Sequence, residues 1–323
     1  MSNDEFIWAK NAEEYDSYIS KLISLKQPKA LSTLEDNKYL PLLQSNIINF
    51  IKYYKGNRIL IKTSTSGKRP KNHEISDFLL EFVASTITKN IDNAEIILAD
   101  GPVYSFYSTE VKRLGWTHIV DKYNLKCIDL NDTEKIKLYK TLEISEVFLK
   151  SDVVINLSKA KTHHRFGISC GYKSLLGVIV NKKNKTKLDG LHGYVPFILN
   201  KIVQIGPPIF SIVDGIDGIE GNGPLKGNVT KSNFICYGED PFTTDVIAAI
   251  EMGFDPALIP LLIKPIDNDQ INNQVELTYS RISEIDFIPS FSYRWLYRSY
   301  RNRNRRDIYY SRLLNSMIKY WDN

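Results

Sequence analysis

Apolar residues recur every three or four positions over Ala12–Lys26 and Tyr39–Tyr54, so residues 1–55 read as helical. Arg58–Lys62 is a short apolar run, predicted as a buried strand, and a Ser/Thr/Lys/Arg-rich loop, 63–72, follows it. Helical spacing returns over Ile75–Thr88, and Ala94–Ala99 reads as the next strand. Strand, helix, strand at this spacing marks a parallel βαβ unit. The alternation continues with a helix at Ser108–Leu114, a strand at Lys126–Asp129 and a buried strand at Val153–Leu157. Beyond a loop come helices over Gly167–Val180 and Pro196–Gln204, then a strand at Phe210–Asp214. A helix at Thr244–Met252 closes the series, with Asp240 or Thr243 as its cap.

This pattern predicts an α/β fold: mostly parallel sheet with helices on both faces, Rossmann-like, with helical additions at both ends. The expected organisation is an N-terminal helical segment over 1–57, an α/β core over 58–265 and a C-terminal extension over 266–323. The composition, 43% hydrophobic and 24% charged, is that of a globular chain. Apolar runs such as Leu175–Val180 and Ile209–Val213 fall far short of the roughly 20 residues that span a bilayer. Met1–Lys10 lacks a signal-peptide pattern, so a cytoplasmic location is expected. Cys127, Cys170 and Cys236 form no CxxC pair, zinc-finger spacing or iron–sulfur run, and are expected to be reduced thiols.

The candidate chemistry is concentrated in two stretches. In the first, DVVINLSKAKTHHRFGISCGYKSLLG from Asp152, an apolar strand delivers a loop bearing Lys159, Lys161, Thr162, His163, His164 and Arg165. In open α/β sheets ligands bind beyond the carboxyl ends of the strands, where this loop is expected. Its cations and imidazoles suit a carboxylate, a phosphate or a metal-bound anion. A solvated basic turn is the alternative, since adjacent histidines on an extended chain point in different directions. Lys173 follows on the expected helix, where a surface lysine is the plain reading, and His192 lies in a turn as a ligand or acid/base candidate. Lys62, Ser66, Lys68 and Arg69, after an early strand, offer further anion contacts.

The second stretch, IVDGIDGIEGNGPLKGN from Ile212, ends a strand at Asp214 and continues as a loop with five glycines. Asp214, Asp217, Glu220 and Asn222 would hold a divalent cation, orient a histidine or bind hydroxyls, the glycines allowing close ligand approach. A tight surface loop with solvated acids is the competing reading. In a third stretch, GEDPFTTDVIAAIEMGF, capping and helix-dipole effects account for Asp240 and Asp245.

The segments NLSKAKTHHRFG, GYKSLLG, DGIDGIEGNGPLKG and EDPFTTDVIAAIEMGF, in this order across residues 58–255, resemble the domain of unknown function 362 family. That resemblance implies a shared α/β core. Some members carry a ferredoxin-like iron–sulfur module, for which this chain lacks the cysteines. The strip His163–Gly177 also resembles, locally, that of the nickel-pincer lactate racemases. That resemblance implies Lys173 as a tether for a nickel-bearing pyridinium cofactor, His163 or His164 as an acid/base, and His192 as a metal ligand. Cys170 stands where that strip has a glycine and Leu176 where it has a proline.

The net charge of +5 is uneven. From Pro289 to Asn323 eight Lys/Arg stand against Asp307 and Asp322, giving +6 for this stretch and −1 for the rest. Trp295, Tyr297, Tyr300, Tyr309, Tyr310 and Trp321 are interleaved with the arginines. Such a tail docks on its own body or contacts an anionic membrane surface. Nucleic acid ranks below lipid, because no nucleic-acid fold accompanies the tail.

The expected function is that of an enzyme on a small anionic substrate, with a divalent metal or nickel-pincer-type cofactor as an option. Lys159, Lys161, Arg165 and Arg69 would bind the anion, and His163 or His164 would move a proton. Asp214, Glu220 and Asn222 would face them from the opposite wall. The alternative is a non-catalytic binding protein using the same pocket, attached to a membrane or partner through its tail.

Overall fold

The computed structural model describes residues 12–32, 36–139, 142–180, 195–263, 287–289 and 310–312. The chain begins with α1 (Ala12–Lys26), β1 (Lys29–Ser32) and α2 (Asp36–Tyr53). It continues with β2 (Arg58–Lys62), α3 (Asp77–Asn90), β3 (Glu95–Asp100), α4 (Tyr107–Leu114), α5 (Thr117–Lys122) and β4 (Lys126–Asp129). A small hairpin, β5 (Lys135–Tyr139) with β6 (Leu142–Ser145), and α6 (Glu146–Leu149) lead to β7 (Val153–His163). Then come β8 (Gly167–Ile168), α7 (Gly171–Ser174), α8 (Val195–Ile205), β9 (Ile209–Asn222), β10 (Lys226–Gly238) and α9 (Pro241–Glu251).

The main sheet has the order β1-β10-β9-β7-β2-β3-β4, with β8 paired to β7. Strands β9, β7, β2, β3 and β4 are parallel, while β10 and β1 add an antiparallel edge. A parallel strand is covered on both faces, and the side chains show it. In β7, Val153, Ile155 and Leu157 enter one apolar cluster, with residues of α2, α3, α4 and α5. Val154 and Ala160 enter the other, with residues of α1, α7, α8 and α9. Helices therefore lie on both faces, as expected from the sequence. The chain goes outward from β2 to β3 and β4, then crosses back to β7 on the other side of β2 and outward again to β9. The reversal between β2 and β7 is the topological switch point, where the carboxyl ends of the strands leave a crevice.

Several expectations change. The N-terminal segment is not helical throughout, because Lys29–Ser32 pairs with β10 from Lys29↔Tyr237 to Ser32↔Phe234. Four residues of mixed polarity carry too little periodicity to announce a strand. The expected loop at Lys159–Arg165 is mostly strand: β7 continues to His163 and only then turns. Its charged residues looked loop-like, although Lys159, Lys161 and His163 alternate with a period of two. Residues 167–180 are not one helix but β8, the single turn α7 and a 3₁₀ turn at Leu175–Val178. Three glycines in this stretch (Gly167, Gly171 and Gly177) disfavour a continuous helix.

The glycine-rich stretch after Asp214 is a hairpin arm rather than a loop, pairing Asp217↔Lys231 through Asn222↔Lys226. Its glycines serve packing. A Cβ on Gly215 would enter the Phe234 ring, one on Gly218 the Phe287 ring, and one on Gly223 the Thr162 carbonyl. Gly221 differs, with φ +73° and open space where a Cβ would stand. Asp240 caps α9 by accepting from the Thr243 N–H at 2.8 Å, with Pro241 at the first helical position. Asp245 sits a turn further in and reaches across the interior instead.

Most of the C-terminal extension, and with it His192's neighbourhood at 181–194, lies outside the described residues. Phe287 is buried against the hairpin and donates its N–H to the Met252 carbonyl, and Tyr310 packs on Tyr15 with ring centroids 6.0 Å apart.

The Gly223 contact gives a stability test. Gly223→Ala presses a methyl group onto backbone that has no rotamer to yield, and is expected to cost about 1–3 kcal/mol. The midpoint of urea unfolding reads this, and an unchanged midpoint would show that the hairpin tip is not tightly seated on β7.

Candidate functional site

The carboxyl ends of β2, β3 and β7 carry Lys62, Asp100 and His163, and all three line one cavity of about 160 Å³. The turn after β8 closes one side with Lys173, Ser174 and Gly177, and the hairpin tip closes another with Pro224 and Leu225. The loop after β2 adds Ser64, Thr65, Ser66 and Arg69, while Tyr104 stands half exposed beside the cavity.

Each of these groups is positioned by identifiable bonds. At the end of β7 the chain turns sharply, and His163 Nδ1 accepts from the backbone N–H of Arg165 (3.1 Å) and of Phe166 (3.3 Å). An imidazole nitrogen that accepts from two N–H groups carries no proton, so the proton of neutral His163 is on Nε2. Burial first, and then the nearby basic groups of Lys173, His164, Arg165 and Arg69, push its pKa well below the usual histidine value. His163 is therefore a fixed neutral donor. The same turn stacks the exposed ring of His164 on that of His163, centroids 4.8 Å apart and 11° from parallel. The two rings thus share one side despite being neighbours in sequence. His164 N–H also donates to the Gly223 carbonyl, tying the turn to the hairpin tip.

Lys173 sits on α7, a helical turn too short to hold itself. Asn156 fastens it from β7: its Nδ2 donates to the Gly171 carbonyl at 2.8 Å, and its Oδ1 accepts from Ser174 Oγ at 2.6 Å. Asp245 accepts from the Tyr172 N–H at 3.0 Å, and burial pushes its carboxyl well above the ordinary range. The Lys173 ammonium lies 5.2 Å from the centre of the Phe166 ring.

The remaining expected site residues are placed differently. Lys159 and Lys161 do not line the cavity. Lys159 is buried against Asp214 at 3.2 Å, and Asp214 also accepts from the N–H groups of Ser76 and Ile216. Lys161 is buried against Glu74 at 3.5 Å, while Glu74 holds Arg69 Nε at 2.8 Å. One shared carboxylate does not offset burial, and the Lys161 amine is pushed down to about 7 by desolvation and then by Arg69. Arg69 reaches the cavity from this cluster, donating also to the Ser64 carbonyl. Glu220 accepts from the Ile288 N–H, Asn222 is exposed at the end of β9, and Arg165 is half exposed. None of these three lines the cavity.

Among the described residues the carboxylate that does face it is Asp100, which the sequence did not single out. The signal was there in a weak form: neighbouring parallel strands β2 and β3 each end on a charged residue. Among the described residues no group of three or more His, Cys, Asp or Glu is placed to hold a metal ion. With Nδ1 taken by backbone N–H groups and Nε2 protonated, His163 does not fit as a metal ligand.

Residues 59–250 match the family model described as Domain of unknown function (DUF362). The chain is 24% identical over 227 residues to the thylakoid-associated protein sll1697 of Synechocystis sp., covering 66% of this chain and 68% of that one. It is also similar in structure to the lactate racemase apoprotein of Thermoanaerobacterium thermosaccharolyticum, with TM-score 0.44 and 12% identity. That match covers 65% of this chain and spans only 55% of the racemase. Among the described residues no helix is long and apolar enough to cross a membrane.

The neutral state of His163 has a pH consequence. An unfolded histidine takes up a proton near 6.5, whereas the folded His163 takes one only at lower pH. Between those values the unfolded chain binds more protons, so stability falls as the pH falls. Urea midpoints from about pH 7 to about pH 5 are expected to drop more steeply for the wild type than for His163→Gln. His73, also depressed mainly by burial, contributes equally to both proteins. Parallel curves would show that His163 is not held neutral.

Proposed function

We propose, from the premise that this chain belongs to the DUF362 family and shares its α/β core, that the switch-point cavity binds a small carboxylate or phosphate and moves a proton on it. The observation that carries this reading is the charge of the lining. Lys62, Arg69 and Lys173, with two imidazoles, stand against one carboxylate, Asp100, among the described lining residues. In a partly desolvated cavity such an excess favours an anion far more than it would in water.

Each side chain then has a distinct task. Arg69 and Lys173 hold the anion from two sides, the guanidinium pre-aimed by Glu74. His163 donates its Nε2 proton as a fixed hydrogen bond to a ligand oxygen and does not itself exchange. His164, exposed at the mouth, is the imidazole that accepts a proton from the ligand and returns it to water. No lining group requires the ligand to be large: about 160 Å³ is close to the volume that accepts one benzene ring.

The test uses a panel of acetate, lactate, glycolate and inorganic phosphate. At least one is expected to raise the melting temperature, and Lys173→Met is expected to weaken its binding by about tenfold, the loss of one charge-assisted hydrogen bond. In deuterated buffer the carbon-bound hydrogen of a bound carboxylate is expected to exchange, and His164→Asn to slow this by about 10²-fold or more while binding persists. Binding without exchange by any member would favour the non-catalytic alternative. No binding by any member would remove the anion reading altogether.

The name of the thylakoid-associated relative favours a second element, attachment of the +6 segment 289–323 to a membrane surface. Sedimentation with vesicles is expected to carry the protein down with anionic but not with neutral lipid, and less so as salt rises. Equal recovery with both would remove it.

A further inference from the structure

Resting on the anion reading of the same cavity, we infer that Lys62 is a nucleophile that forms an iminium with the carbonyl group of a small 2-oxo acid.

Lys62 ends β2 at the switch point with its side chain 1% exposed, yet it lines the cavity. Its Nζ lies 3.2 Å from Asp100 Oδ1 and donates to the Ser174 carbonyl, so two of its three N–H positions are taken within the protein. Asp100 is itself fixed: Oδ2 accepts from the Thr65 N–H at 2.6 Å and from Thr65 Oγ1 at 2.9 Å. Gly177 backs directly on the pair, and a Cβ there would collide with both Asp100 and Lys62. The pair is thus held on three sides and meets the cavity on the remaining one.

A buried ion pair adds little stability over an apolar pair of similar volume, so its placement at the floor of a small-molecule cavity calls for a chemical use. A lysine removed from water beside another cation is the form in which amines attack carbonyl groups. Burial lowers the proton affinity of Lys62 and Arg69 adds to this, while Asp100 opposes it and stands ready to take the proton.

The step balances without an added reactant. The nitrogen of the ammonium forms a bond to the carbonyl carbon and gives up two protons, which Asp100 carries one at a time to the carbonyl oxygen. The C–O bond breaks, that oxygen leaves with the two protons as water, and the positive charge stays on the iminium nitrogen. The carboxylate of the same molecule meets Arg69 and Lys173. An oxo acid therefore satisfies both halves of the cavity, whereas a simple carboxylate leaves the Lys62–Asp100 half unused.

The test is reductive trapping of the full chain with pyruvate and cyanoborohydride, followed by intact mass and peptide mapping. One reduced pyruvate per chain is expected on Lys62, suppressed by excess acetate. Lys62→Arg and Asp100→Asn are expected to lower trapping at least tenfold, both keeping the site polar. The wild-type map stands alone if a variant fails to fold. Trapping on Lys173 or on surface lysines alone overturns the inference. So does an absence of trapping in protein whose melting temperature acetate still raises, and that outcome leaves the anion reading intact. No trapping and no response to any anion overturns both.

Discussion

Charge buried at one rim of the sheet is the constraint around which the rest of this structure is arranged. Lys62, Lys159, Lys161 and Arg69 are each less than a tenth exposed, and an isolated buried cation costs several kcal/mol. Carboxylates from neighbouring strands meet two of them, Asp100 of β3 at Lys62 and Asp214 of β9 at Lys159. Glu74, five residues on from Arg69, serves both Arg69 and Lys161, whose amine burial still pushes down to about 7. These pairs fasten neighbouring strands and the loops above them. They also divide the expected cationic cluster in two, Lys159 and Lys161 being absorbed into structure while Lys62 and Arg69 reach the cavity from behind their carboxylates.

The position of the cavity follows from topology. Because the chain leaves β2 in one direction and returns through β7 on its other side, the connections that follow these two strands diverge and leave a gap between their carboxyl ends. Lys62 and His163 come from the two strands that flank this gap. The helical turn that carries Lys173 is held by Asn156 on β7 and Asp245 on α9, so its geometry is inherited from rigid elements rather than from a loop.

Much of the core was legible because parallel strands are short apolar runs: β2 and β4 lie where the pattern placed them, and β3 within one residue. β1 was not legible, since its pairing with β10 depends on a strand two hundred residues later. His163 and His164 stood out by residue type and position after a strand, whereas Lys173 read as a surface lysine and drew notice only through the local resemblance. Which of the cations around them would turn inward was not legible, because that depends on Glu74 and Asp214, whose approach is set by tertiary packing. Asp100 escaped notice for the same reason: its pairing with Lys62, 38 residues away, is a matter of sheet register. The glycines after Asp214 suggested a ligand loop, whereas the partners that demand them are the Phe234 and Phe287 rings and the Thr162 carbonyl, all remote in sequence.

The hairpin tip that walls the cavity has a mechanical meaning. Pro224 and Leu225 ride on two strands of 14 and 13 residues, one of them hydrogen-bonded to β7 up to Lys161. Thr162 Oγ1 and His164 N–H pin the same tip through the Gly221 and Gly223 carbonyls. Swinging this arm aside would mean flexing a stiff cantilever rooted in the centre of the sheet. Any widening of the cavity on this side therefore falls to rotation of exposed lining side chains such as Leu225 and Tyr104, a motion of rotamer exchange rather than of a hinge.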